Sequence, residues 1–355
     1  MRCSKFFAAF IALPLTAQAA NIVLSNDDGW AEINIRTLFN VLTKAGENVV
    51  LCAPAVNKSG SGMFEVSGSN VSTSCSLDNL HTNDSQGSLD LPPTTLTKPC
   101  EYDSCPAGSP PYGNNASNPR LNYVNSYPVT SIRYGIKNLS TPLLGGPPDL
   151  ALSGFNVGGQ SIHHFCAVNE SLTNPKANTG ISTFLSGTVG AACEAAKLGY
   201  PAIALSGSTG NQTAWNAPPS TYQGVYADLS LNITQTLLAS VAPYLPPGIW
   251  LNVNFSPVGS DSCTSAGDFG FVLSRIYPNP FGWDVETCGN DGHLPTESTV
   301  MGTSGCWASV SVAVASTKLD AGINDQAVVM SKLGGILTCL PNKDKVIEMP
   351  QDFGH

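Results

Sequence analysis

The stretch Asn21-Ile22-Val23-Leu24-Ser25-Asn26-Asp27-Asp28-Gly29-Trp30 constrains this chain more than any other. Ile22 to Leu24 is a short apolar run of the kind that forms a strand buried on both faces. Two carboxylates follow at once, then a glycine, then residues at helical spacing. A strand feeding a helix in this way belongs to an α/β sheet, and ligands of such sheets sit beyond the carboxyl ends of the strands. Asp27 and Asp28 are therefore either a costly like-charge cluster or a site for a hard cation.

The rest of the chain reads as an extension of that sheet. Ala31 to Ala45 carries Ile35, Leu38, Phe39 and Leu42 at helical spacing, with Gly46 as the C-terminal stop. Val49 to Cys52 is a second strand ended by Pro54, which completes a βαβ unit of the doubly wound type. Asn57-Lys58-Ser59-Gly60-Ser61-Gly62 then makes a tight turn at the same sheet edge as the Asp pair; an ordinary turn explains it equally well. Residues 67–125 are rich in Ser, Asn, Pro and Gly, show no sustained period, and read as a surface insert pinned by disulfides. Val129, Ile132, Arg133 and Ile136 mark a returning helix.

Leu150 to Leu152 is a further buried strand, and Asn156 lies just past its end, as a turn residue or as a ligand. A second insert, 160–180, carries His163 and His164, one of which is a candidate for protonating a leaving group. Ser186-Gly187-Thr188-Val189-Gly190-Ala191-Ala192 opens a helix that runs to Leu198 and stops at Gly199. Its small residues let a ligand approach, and its free N–H groups favour a phosphate; Ser186 as a simple N-cap is the plainer reading. Pro201 to Ser206 and Trp250 to Phe255 read as strands, and Ala227 to Ala242 as a helix between them. Past Pro257, Phe269 to Ile276 and Trp307 to Val314 alternate in the manner of antiparallel strands, before a helix from Ala321 to Leu333. The expected fold is α/β, a Rossmann-like three-layer arrangement of a mostly parallel sheet. Its core spans 20–257, with a smaller β-rich C-terminal region over 258–355.

Composition narrows the setting. Residues 1–19 have the basic start, apolar centre and Ala17-Gln18-Ala19 end of a signal peptide, which predicts a secreted protein. No later stretch is long and apolar enough to cross a membrane. Cys3 would leave with the leader, so ten of the 11 cysteines remain, mostly for disulfides. Cys100 and Cys105 are close enough to bridge locally, and Cys52 and Cys193 are the candidates for buried free thiols. N-linked glycans are expected from the sequons at Asn57, Asn70, Asn83, Asn115, Asn138, Asn169, Asn211, Asn232 and Asn254. Those at Asn70, Asn83 and Asn115 are favoured over Asn57 and Asn254. The formal charge of −9, with no basic run, argues against a nucleic-acid polymer as partner.

Four ordered motifs resemble the survival protein SurE family. They are Ser25-Asn26-Asp27-Asp28-Gly29, Ala53-Pro54 with Lys58-Ser59-Gly60, Pro148-Asp149-Leu150 with Ser153-Gly154-Phe155-Asn156, and Ser186 to Ala192. The resemblance covers 21–257 and weakens beyond. It implies a metal-dependent phosphatase acting on nucleoside monophosphates and other small phosphate monoesters. Carried over, Asp27, Asp28, Ser59 and Asn156 hold one divalent cation (Mg, Mn or Ca), and Asp27, Asp28, Asn156 and Thr188 form the catalytic set. Asn26, Gly60, Ser186, Gly187 and Thr188 form the phosphate site. The family has a second Asn where this chain has Gln160. Its C-terminal region takes part in oligomer exchange, which leaves a homodimer open here.

An all-oxygen donor set suits a hard cation better than zinc. It predicts attack by a metal-activated water, with Asp27 or Asp28 taking the proton and the Thr188 helix end steadying the phosphate; direct attack by Asp is the lesser route. Two other readings are a catalytically decayed binding protein for a metal, nucleotide or glycan, and a nucleoside-ribosyl hydrolase, which needs a richer carboxylate cluster.

Overall fold

A computed structural model describes residues 19–61, 92–157, 179–180, 182–259 and 261–341. The nine strands are β1 (Asn21–Ser25), β2 (Asn48–Pro54), β3 (Tyr112–Asn115), β4 (Asn118–Val124), β5 (Leu150–Val157), β6 (Ala202–Gly207), β7 (Ile249–Phe255), β8 (Gly270–Ser274) and β9 (Trp307–Val314). They form one sheet in the order β3-β4-β2-β1-β5-β6-β7-β9-β8. Six neighbouring pairs run parallel; β3 with β4 and β7 with β9 run antiparallel.

Helices cover both faces. On one side α1 (Ile33–Lys44), α6 (Thr221–Leu238) and α8 (Ile323–Leu333) pack Leu38, Leu42, Tyr226, Ile233 and Val329 against Ile22, Leu24, Leu51 and Leu251. On the other, α2 (Pro128–Tyr134), α3 (Ser140–Leu144) and α5 (Gly187–Lys197) pack Ile132, Leu144 and Val189 against Val23, Val50, Ala151 and Ala204. Two short helices, α4 (Ser182–Leu185) and α7 (Glu297–Gly302), complete the set. The three layers and the mostly parallel sheet are as expected.

Local chemistry explains the helix ends. Ser186 caps α5 by accepting from Val189 N–H at 3.2 Å. Gly46, at φ +99°, terminates α1 in a conformation that other residues rarely adopt. Helix α6 begins six residues before the expected Ala227, because Gln223 accepts from Ser220 N–H at 2.6 Å and starts the helix there.

Two expectations need correction. Residues 112–124, placed in the surface insert, supply β3 and β4, and β4 pairs with β2 from Leu51↔Leu121 to Pro54↔Val124. Its Asn, Pro and Arg obscure the pattern, while backbone hydrogen bonds to β2 make the strand. The C-terminal β segments join the same sheet. β9 continues the sheet from β7, and β8 lies parallel to β9, not antiparallel. Alternation reports which face is buried, not which way a neighbour runs; the connection through α7 permits the parallel pairing.

Cys100–Cys105, Cys263–Cys306 and Cys288–Cys339 are disulfides, and Cys52 and Cys193 are buried free thiols. Cys75, Cys166, Gln160, His163, His164, residues 1–18 of the leader and the sequons at Asn70, Asn83 and Asn169 lie outside the described residues. Asn115 is half-buried, Asn254 is fully buried in β7, and Asn138, Asn211 and Asn232 are exposed. Among the described residues no helix is long and apolar enough to cross a membrane.

Candidate functional site

Strand β1 lies between β2 and β5, where the sheet begins to wind in the opposite direction. A crevice opens at the carboxyl edge of such a switch point. Into it run the turn after β1, the loop after β2, the end of β5, the start of α5 and the loop after β6.

The turn after β1 is closed by Asn26, whose side-chain oxygen accepts from Gly29 N–H at 3.1 Å and whose amide donates to Gly29 C=O at 3.2 Å. Both polar atoms of Asn26, expected among the phosphate ligands, serve the turn, and the amide keeps a second N–H beyond the one given to Gly29. Asp27 and Asp28 project from it, 1% and 0% exposed. Thr188 Oγ1 donates to Asp27 Oδ1 at 2.5 Å, which sets the N-terminus of α5 directly on the first carboxylate. Gly187 is required there, because a Cβ would stand 2.8 Å from Asp27 Cβ.

The loop after β2 serves the second carboxylate. Lys58 N–H donates to Asp27 C=O at 2.7 Å, anchoring the loop, and Ser59 Oγ donates to Asp28 Oδ1 at 3.2 Å. Gly60, at φ +77°, lets the chain turn. Gln212, from the loop after β6, donates through Nε2 to the same Asp28 oxygen and, at 3.2 Å, to Ser59 Oγ. Asn156 stands at the same edge. Ser153 pairs with Ser25 of β1, a bulge follows, and Asn156 pairs with Ser206, half-buried.

Burial, then the charges of Asp27 and Glu32, hold the Asp28 carboxyl well above its usual range against hydrogen bonds from Gln212 and Ser59. Burial also raises Asp27, opposed by the Thr188 hydroxyl and by N–H groups at the start of α5. Glu32, pushed up to about 8 by burial, accepts from the N–H groups of Asn34, Ile35 and Thr213. Glu101 is pushed up to about 7, chiefly by burial, and its Oε2 lies 2.6 Å from where a Gly29 Cβ would be. The carboxylate cluster is thus richer than the sequence suggested, but Glu32 is committed to capping α1.

The decisive feature is Asp28 Oδ2. It is buried and has no hydrogen-bond partner. Among the described residues no lysine, arginine or histidine pairs with Asp27 or Asp28. A buried carboxylate without a partner either takes up a proton, the state that the raised Asp28 pKa favours, or is met by a positive charge. The groups gathered on the pair are the Ser59 and Thr188 hydroxyls and the Gln212 amide, and among the described residues no three His, Cys, Asp or Glu are placed to hold a metal ion by themselves, so water would make up much of a bound ion's shell. The residues present therefore fit a hard divalent cation with water completing its shell.

Sequence reasoning missed Gln212, Glu32 and Glu101 as neighbours of the pair; it placed Asn57 beside the site but gave it no role there. The signal for Gln212 was its place just past the carboxyl end of a parallel strand, in Ser208-Thr209-Gly210-Asn211-Gln212.

A family model described as survival protein SurE matches residues 22–167 and 171–271. The chain is 29% identical over 341 residues to an acid phosphatase of Yarrowia lipolytica, covering 87% of this chain and 82% of that protein. It is 27% identical over 238 residues to a 5'-nucleotidase SurE of Lawsonia intracellularis, covering 67% of this chain and 66% of that one. It is 31% identical over 186 residues to a 5'-nucleotidase SurE of Maridesulfovibrio salexigens, half of whose length it spans. A crystal structure of a SurE protein from Aquifex aeolicus is similar over 83% of this chain and 93% of that one, with 20% identity and a TM-score of 0.47.

Proposed function

The chain belongs to the survival protein SurE family, and on that premise we propose that it is a divalent-cation-dependent phosphomonoesterase of small phosphate monoesters, nucleoside monophosphates among them. Relatives named acid phosphatase and 5'-nucleotidase support the reaction class. The observation that carries the reading is the buried, unpartnered Asp28 Oδ2.

Asp27, Asp28, Ser59 and Asn156 would hold the cation. When bound, such an ion polarises phosphate oxygens and lowers the pKa of a coordinated water. The chain's own residues do the rest. The hydroxyl of Thr188 holds Asp27 in place, and the first N–H groups of α5, at the same edge, would supply donors for the non-bridging phosphate oxygens. Ser186 accepts from Val189 and so keeps the helix wound to its first turn. Asp27 or Asp28 takes the proton of the attacking water. We read the protein as secreted and glycosylated, in keeping with its leader-like start and its three described disulfides.

The test is phosphate release from a nucleoside monophosphate and from p-nitrophenyl phosphate, before and after chelation, with Mg²⁺, Mn²⁺ or Ca²⁺ restored. Loss on chelation and recovery with one ion is expected. Full activity after chelation, and again in Asp27→Asn, would remove the cation mechanism. Cation binding with no phosphate release would leave a binding protein.

A further inference from the structure

We propose that Gln212 is the positioning residue of the cation centre, locked as a hydrogen-bond donor by Asn57, so that Asp28 and Ser59 turn free lone pairs toward the ion. The inference rests on the reading of this site as a cation centre.

The orientation of each amide follows from one group that can only donate. Ser59 N–H points at the Asn57 side chain, 2.7 Å from Oδ1, so the oxygen of Asn57 must face it. Asn57 Nδ2 is then turned toward Gln212 and meets Oε1. Gln212 is left with Nε2 and its two hydrogens facing the site. One goes to Asp28 Oδ1 and the other to Ser59 Oγ. The hydrogen of Ser59 goes to Asp28 Oδ1 as well. Asp28 Oδ1 therefore accepts twice, Ser59 Oγ keeps one free lone pair, and Asp28 Oδ2 accepts nothing. With the Gln212 amide reversed, Oε1 would abut Asp28 Oδ1, and Nε2 would abut Asn57 Nδ2. The contact between the two nitrogens is repulsive in any state, and the contact between the two oxygens is repulsive once Asp28 is ionised, as it is with a cation bound.

The loop bearing Gln212 is built to hold this pose. Thr213 C=O accepts from Ile33 N–H at 2.9 Å, Trp215 N–H donates to Ala31 C=O at 2.9 Å, and Thr213 N–H reaches Glu32 at 3.3 Å. Tyr222 OH donates to Asn211 C=O at 3.2 Å. The loop is thus stitched to the chain just after Asp28 and to α6. Loss of an outer partner that orients a ligand in this way typically costs about 10- to 100-fold in metal affinity. One corollary concerns the Asn57-Lys58-Ser59 sequon: a glycan there would take Asn57 Nδ2, the atom on which the relay depends, so Asn57 is expected bare by peptide mapping of the secreted protein.

The experiment is calorimetric titration of the chelator-stripped full chain with Mn²⁺. Gln212→Ala should weaken binding by about 10- to 100-fold, with the melting temperature of the metal-free protein held within a few degrees. Gln212→Met, which keeps the length and removes the donor, should do the same and carries the test if Gln212→Ala does not fold. Asn57→Ala should weaken binding less. Added to Gln212→Ala, it should cost little more, because the two act in series. Wild-type affinity in Gln212→Met, or losses that multiply in the double variant, would overturn the proposal. A wild-type protein that binds no Mn²⁺ and releases phosphate without it would instead overturn the cation reading.

Discussion

Two pairs of buried carboxylates stand at different places in this molecule, and the protein treats them differently. Asp284 and Asp320, near the end of β8, flank Arg275. The guanidinium pairs with Asp284 through Nη1 and with Asp320 through Nη2, the latter at 3.3 Å. Gln326 and Leu294 N–H donate to Asp284 at 2.9 and 3.1 Å, and Ile276 and Tyr277 N–H donate to Asp320 at 2.7 and 3.0 Å. Burial pushes the Asp284 carboxyl up, but the hydrogen bonds from Gln326 and Arg275 outweigh it and hold it below its usual value. Among the described residues Asp27 and Asp28 have no such cation, and Asp28 Oδ2 has no partner. Around Arg275 the chain meets both charges from within. At Asp28, as at Glu297 Oε2 and Glu101 Oε2, one oxygen is left without a partner, and what sets the Asp pair apart is its place at the switch point and the Ser59, Thr188 and Gln212 groups gathered on it.

The contrast can be broken at either end. The largest effect is expected for Asp28→Asn: phosphate release should fall by at least about a hundredfold, the upper range for loss of a mere supporting residue. The metal-free melting temperature should hold or rise, because an unpaired buried charge is gone. A stable variant with near wild-type turnover would remove the distinction between the two pairs. Arg275→Met should do the reverse. It leaves two buried carboxylates without their cation and should destabilise by about 3–5 kcal/mol in a urea melt, while Mn²⁺ affinity is retained at temperatures where the protein stays folded.

Adding divalent cation at about 100 times its dissociation constant should stabilise the wild type by roughly 2.7 kcal/mol. Asp28→Asn should show no such gain by differential scanning fluorimetry. A third acid sharpens the comparison. Glu297, fully buried on α7, accepts from Asn252 at 2.8 Å and is pushed up to about 8, chiefly by burial. Its folded pKa exceeds its unfolded value, so between about 4.5 and 8 the unfolded chain binds fewer protons and stability falls as pH rises. Glu297→Gln should match the wild type near pH 4 and exceed its stability by roughly 3 kcal/mol at pH 7. An advantage that is flat across that range would show that Glu297 is ionised in the fold.

How much could be read in advance varied from element to element. The short apolar run of β1, the helical spacing of α1, the Gly46 stop and the Ser186 cap are all local, and each was legible. The order of the four motifs along the chain likewise points to the family. β4 was not legible, because Asn118, Pro119 and Arg120 obscure its pattern and its strand character comes from β2 alongside. Nor was the parallel course of β8, nor the approach of Gln212, Glu32 and Glu101 to Asp28.

By itself, then, the chain's sequence determined its periodicities, its turn points and the chemical kinds of its candidate ligands, because these depend on residues a few positions apart. Tertiary structure alone decided which oxygens are filled and which is bare. That outcome depends on Gln212 and Asn57, 155 residues apart, meeting over the same carboxylate, and no short-range rule encodes such a meeting.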